Sequence, residues 1–313
     1  MMTHAKKTKK GLRGMLLLIL LLCIAPGMAQ ARLVLTAQDI FSKRSFNLSH
    51  NSVQGMDIWG HYLLSLQNTG IAHLYNFDGS TLTRLDSFSL ASAGARNHSN
   101  LASFSNQYYA DGDKLPLVYI TRANATVDSD GMRNVCFVER IDPDKMSSTL
   151  IQKICYKPIN GEGQFIIDRQ NNLLYVWGNT ISNGAVGNKH YVRKFKIPEV
   201  GPGKPSLVWL TDDQSLDTYY WEDYYTGGAN PVIQGGAIKD DLMFLPCGFD
   251  TEEQPSVLYV WDLKNHKMLK ELSLTGYFSG ELEDCSVNVD GWLVLQANPN
   301  HIYMMSIKNI KFW

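Results

Sequence analysis

Val257-Leu-Tyr-Val-Trp261 is apolar at consecutive positions. A strand with one wet face alternates with period two, so such a run belongs to a sheet covered on both faces. Its surroundings narrow the choice further. Val232-Ile-Gln-Gly-Gly-Ala-Ile238, Leu242-Met-Phe-Leu245, Val257-Leu-Tyr-Val-Trp-Asp-Leu263 and Met268-Leu-Lys-Glu-Leu-Ser-Leu274 are short β-prone segments, separated by Lys239-Asp-Asp241, a polar loop and Asn265-His266. Four such strands make one sheet, and four-stranded sheets packed around an axis cover each other's faces as the blades of a propeller.

The unit recurs. Val53–Ile58, Tyr62–Leu66, Ile71–Phe77 and Arg84–Leu90 form one copy, and His98–Phe104, Leu117–Ile120, Val135–Ile141 and Leu150–Ile154 a second. A third reads Gln164–Ile167, Leu173–Trp177, Tyr191–Ile197 and Leu207–Leu210, and the unit described first is the fourth. A fifth has Glu281–Val287, Trp292–Leu295 and Ile302–Ile307 but lacks an outer strand. Lys43-Arg-Ser-Phe-Asn-Leu48 resembles the outer strands Arg84–Leu90 and Lys270–Leu274, and is expected to complete that blade and remove its open edge. The expected fold is all-β: a five-bladed β-propeller closed by an N-terminal strand, with six blades or a pair of β-sandwiches as alternatives.

Lys6, Lys7, Lys9, Lys10 and Arg13 precede the apolar run Met15–Leu22, which is followed by Ala29-Gln-Ala31. This order is that of a secretory signal peptide over residues 1–31, leaving 32–313 as a single propeller domain in a periplasmic, cell-surface or extracellular setting. The apolar run is short for a membrane span of about 20 residues, and no second candidate for a transmembrane helix follows. A lipid anchor at Cys23 is the rival reading, which bulky Leu22 disfavours. The formal net charge of -1 argues against a nucleic-acid partner. Cys136 and Cys155 flank the Asp142-Pro-Asp-Lys145 turn, so a cross-strand disulfide and two buried thiols are both open, as is the state of Cys247 and Cys285.

Long segments enter the face where inner strands begin: Arg122–Asn134, Asn179–Lys189, Thr211–Pro231 and Cys247–Ser256. Binding residues concentrate on such loops. The inner strands also start with polar residues, namely Gln54, His98, Asn100, Glu162, Gln164, Gln234, Glu281, Glu283 and Asp284. These are expected to converge at the channel mouth, where adjacent Gly55, Gly235 and Gly236 let backbones crowd the axis. Tyr220 and Trp221 lie in Thr211–Pro231 among acidic residues, and pair flat apolar faces with acceptors in the way a sugar requires. A packed aromatic lid is the other reading of that stretch. Glu162, Glu281, Glu283 and His98 are the candidates for acid–base chemistry if the chain is an enzyme. No specific metal motif is present and no cofactor is expected, with Ca²⁺ on the hard oxygens of Glu281, Glu283 and Asp284 as an alternative.

Gln54-Gly55, Asn97-His-Ser-Asn100, Gln234-Gly-Gly236, Glu281-Leu-Glu-Asp284 and the Leu-Tyr-Val-Trp strands together resemble secreted bacterial five-bladed propeller proteins of the Bacteroidetes type. The resemblance spans the mature chain and carries a fold and a location rather than an activity. Furanosidase-type glycoside hydrolases share that fold and place carboxylates on early inner strands. Here Gln54, His98 and Asn100 occupy those blades, so a carbohydrate-active enzyme would have to pair Glu162 with Glu281 or Glu283. The expected function is a binding or interaction module for glycan or cell-envelope material, with that enzyme as the alternative.

Overall fold

The computed structural model describes residues 41–307 except 96, 123–131, 159, 227–230, 277–279 and 289. Residues 1–31, read above as a signal peptide, with Cys23 and the centre of the Arg122–Asn134 loop, lie outside the described residues. Strand β1 (Phe41–Asn47) comes first, followed by blade one: β2 (Val53–Trp59), β3 (Tyr62–Gln67), β4 (Ile71–Phe77) and β5 (Leu82–Ser89). Blade two holds β6 (Leu101–Phe104), β7 (Val118–Arg122), β8 (Asn134–Asp142) and β9 (Ser147–Tyr156). Blade three begins with β10 (Gly163–Asp168), β11 (Leu173–Asn179) and β12 (His190–Lys196). Strands β13 (Leu207–Leu210) and β14 (Asp217–Tyr220) precede blade four, which is β15 (Ala237–Lys239), β16 (Leu242–Cys247), β17 (Val257–Asp262) and β18 (Lys267–Ser273). The last blade is β19 (Leu282–Val287), β20 (Trp292–Ala297) and β21 (His301–Ser306), completed by β1, which pairs antiparallel with β21.

The inner strands β2, β6, β10, β15 and β19 contact one another in a closed cycle. Closure by an N-terminal strand and the count of five blades follow the sequence expectation. Burial explains why the strands read as continuous apolar runs. Five apolar layers lie between successive blades, as where Leu64, Leu66 and Leu74 meet Phe104, Val118 and Ile120, and where Met56 and Ile58 meet Val294, Ile302 and Met304. Only the outer strands, such as β5, turn polar and exposed.

Blade three departs from expectation. Leu207–Leu210 is not its outer strand but pairs in parallel with β9, making a fifth strand on blade two. Asp217–Tyr220 takes the outer position instead, with Tyr191 opposite Tyr220. The connection is pinned to blade two by Lys153 N–H to Ser206 O at 2.8 Å, and by the Gln152 amide, which donates to Glu199 O at 3.0 Å and Pro205 O at 2.9 Å. The swap covers the open edge of β9.

Strand register also decides the cysteines. Cys136 opposes Ile154 and Cys155 opposes Val135, so the two sulfurs point to opposite sheet faces and enter different core clusters. Both are buried thiols outside any disulfide, as are Cys247 and Cys285. The cross-strand disulfide is thus excluded by geometry. Among the described residues, no helix is long and apolar enough to cross a membrane.

Closure is tied by a buried polar chain as well as by β1. Gln296 Nε2 donates to Gln54 O at 2.5 Å and Ser65 Oγ donates to Gln296 Oε1 at 2.6 Å. Ser65 has given up its one proton, so His50 Nε2, 3.1 Å from it, must be the donor, and His50 Nδ1 accepts from the Tyr75 hydroxyl at 3.0 Å. His50 also stacks on His73 with centroids 3.7 Å apart. Burial first, then the neighbouring His73 and Arg84, hold His50 down at about 3; burial, then Arg84, holds His73 at about 4. The unfolded chain binds these protons near 6.5, so acid favours unfolding. The pair's contribution is complete above pH 6.5 and is lost as pH falls toward 4 and below. Urea midpoints measured from pH 7 to pH 4 are expected to fall less steeply in His73→Phe than in the parent chain; parallel profiles would contradict the stacked neutral pair.

Candidate functional site

Blades that fan out from an axis cannot pair their inner edges as a sheet, so inner-strand N–H groups need other acceptors. Asp284, on β19, accepts from four of them. Its Oδ2 accepts from Met56 N–H at 2.8 Å and Ala102 N–H at 3.1 Å, and its Oδ1 from Gly236 N–H at 2.9 Å and Cys285 N–H at 2.8 Å. One carboxylate thereby joins blades one, two, four and five. Asp57 accepts from Ile58 N–H at 2.7 Å, Phe104 N–H at 2.6 Å, the Ser286 hydroxyl at 2.6 Å and the Arg169 guanidinium. Thr121 Oγ1 and Ser103 Oγ take Phe165 N–H and Ile167 N–H of blade three at 2.9 and 3.1 Å.

Glycine makes the approach feasible. A Cβ at Gly235 would stand 1.9 Å from Asp284 Oδ1, and one at Gly55 would stand 2.7 Å from Ala102 N and Ser99 O. The expected crowding at Gly55, Gly235 and Gly236 is observed. Burial pushes the Asp284 carboxyl up while the four N–H groups pull it back. Its lone pairs are filled by those donors, so it has none to offer a cation. Among the described residues, no group of three or more His, Cys, Asp or Glu side chains is arranged to hold a metal ion.

Above this layer, toward the long loops, lie the remaining polar strand starts. Gln234 Nε2 donates to Glu281 Oε1 at 2.5 Å, Asn298 Nδ2 donates to Glu283, and Asn100 Nδ2 reaches Gln234 O at 3.2 Å. Gln54, Asn100, Gln164, Gln234 and Glu283 are buried, whereas His98, Glu162 and Glu281 are half-buried. Burial, then the charges of Glu281 and Asp284, push the Glu283 carboxyl up to about 9. Burial also raises Glu162 and Glu281 and lowers His98. Among the described residues, Gln54 Oε1 and Gln164 Oε1 have no hydrogen-bond donor.

Tyr220 and Trp221 are placed elsewhere. Tyr220 ends β14 and its hydroxyl accepts from Arg193 Nη2 at 3.2 Å. Trp221 is 3 % exposed and packs between blades three and four, its ring 5.1 Å from Tyr259, 5.2 Å from Trp261 and 5.5 Å from Trp177. The packed reading of this aromatic stretch therefore holds for Trp221, which is a core residue and not an exposed stacking platform. Asp57, Arg169, Ser103 and Thr121 were not singled out from sequence. The one available signal was Asp57, a lone charge within the apolar run Val53–Trp59.

On the turn face, opposite the long loops, a cavity of about 540 Å³ is lined by all five blades, with Asp57 and Arg169 among its walls. No protein-family model matches the chain, and no curated protein matches it. Among solved structures, the glutaminyl cyclase of Myxococcus xanthus is similar at a TM-score of 0.47 and 11 % identity, over 84 % of this chain and 93 % of that one.

Replacing Asp284 by Asn turns two acceptor positions into donors that face backbone N–H groups. A loss on the order of 2–5 kcal/mol in unfolding free energy is expected by urea titration, since each stranded buried donor costs roughly 1–3 kcal/mol. A change under about 1 kcal/mol would show that the axial bonds contribute little.

Proposed function

We propose that this chain is an exported binding module for glycan or cell-envelope material, and that the loop-face end of its axis holds a neutral, hydroxylated ligand. What supports the reading is one observation: the buried polar groups gathered there are amides and a carboxyl that burial and the neighbouring Glu281 and Asp284 push up to about 9. Glu283 keeps its proton well above pH 7, and burial favours neutral His98. The amides of Gln54, Asn100, Gln164 and Gln234 supply donors and acceptors around them, two of the acceptors lacking a donor. A sugar hydroxyl both donates and accepts, and so complements such a set without bringing a charge into a desolvated site. Half-buried Glu281, Glu162 and His98 form the accessible rim where a ligand makes first contact.

Glu283 makes the reading testable through pH. Above about 9 it ionises beside Glu281, placing a second negative charge in the site, so affinity for a ligand found on a glycan array should fall between pH 8 and pH 10. Glu283→Gln preserves the shape and removes the proton, and should bind at pH 7 within severalfold of the parent without the alkaline drop. A profile that Glu283→Gln leaves unchanged, or no saturable binding to any saccharide, would overturn the proposal. Reducing-sugar release measured in parallel identifies the alternative, because turnover that vanishes in Glu283→Gln would assign this carboxyl as a general acid.

A further inference from the structure

The turn-face cavity has a different chemistry from the loop face. Its polar floor is satisfied internally: Asp57 is filled by two backbone N–H groups, the Ser286 hydroxyl and Arg169. Arg169 in turn donates to Phe104 O at 2.7 Å and Ile58 O at 3.2 Å. The floor asks nothing of a ligand. The walls are aliphatic, with Ile58, Ile167, Ile238 and Val287 contributed by blades one, three, four and five, and Trp59 beside them. Protein interiors leave few voids larger than a water molecule, and a volume of about 540 Å³ lies in the range of small-molecule sites. Ile238 lines this space and is half-buried, as are Ala237 and Lys239 beside it on the same inner strand.

The wall carries charge at Arg169, Asp57, Lys239 and Asp290. Arg169 and Asp57 pair with each other, and the Asp290 carboxylate stands on an exposed turn where water solvates it. Lys239 is half-buried, lines the cavity and makes no ion pair or side-chain hydrogen bond among the described residues. Its aliphatic stem extends the apolar wall, and its ammonium group is left for a counter-charge. We propose that this cavity is a second ligand site, independent of the loop-face reading, and that it takes a small amphipathic organic anion. The acyl or aryl body lies among the isoleucines and the carboxylate or sulfonate head meets Lys239.

The test uses the full chain and the fluorescent probe anilinonaphthalene sulfonate, displaced by octanoate or by octan-1-ol. Saturable probe binding is expected, with octanoate displacing it at lower concentration than octanol. Lys239→Gln should weaken octanoate about fivefold, the scale of one half-buried ion pair, and leave octanol unchanged. Ile238→Trp should fill the cavity and abolish both while leaving saccharide binding on the loop face intact; Val287→Trp repeats the block from another blade should the first variant not fold. Equal displacement by octanoate and octanol, or octanoate affinity unaltered by Lys239→Gln, would overturn the proposal. So would probe binding that survives in a folded tryptophan variant.

Discussion

The propeller depends on backbone N–H groups that no sheet can satisfy. Each blade pairs its own strands, but at the axis the inner edges splay apart, and donors left there would each cost free energy comparable to a lost hydrogen bond. Asp284 and Asp57 collect six of these donors between them, and Ser103 and Thr121 take two more from blade three. Farther out, buried Glu139 of blade two does the same for the chain leaving blade one, accepting from Ala91 N–H at 3.0 Å and Ser92 N–H at 2.9 Å. Apolar layers between blades provide most of the favourable burial, while these acceptors fix which blades meet and in what register.

That solution organises function as well. A carboxylate pressed against Gly235, and accepting from the N–H groups of Met56, Ala102 and Gly236, gathers four blades at the axis, with a different set of side chains toward each face. Toward the long loops the side chains are amides, a neutral acid and a half-buried acidic rim. Toward the short turns they are isoleucines, a tryptophan and, at Lys239, a cation without an ion partner among the described residues. On the two proposals above, these chemistries would select different ligands.

Much of the architecture was legible in the sequence because consecutive apolar residues report a doubly covered sheet. A last blade short of one strand likewise pointed to Lys43–Leu48. The exchange of β13 and β14 was not legible. Leu207-Val-Trp-Leu210 and Asp217-Thr-Tyr-Tyr220 are equally strand-like, and the choice between them is made by distant partners, Lys153 and Gln152, that local propensity does not see. The register shift between Val138 and Glu139 similarly turned a near-symmetric cysteine spacing into two sulfurs on opposite faces. Polar strand starts marked the loop-face site, whereas the turn-face cavity is walled by residues that read as ordinary core. Arg169 gave no sign of its role because its partner Asp57 lies 112 positions away.

Amide hydrogen exchange under native conditions tests the central claim most directly. If Asp284 is the acceptor that holds the ring, the amides of Met56, Ala102, Gly236 and Cys285 will exchange only through global unfolding, as slowly as the amides in the middle of β3 and β11. Exchange of those four as fast as the exposed edge of β5 would contradict it.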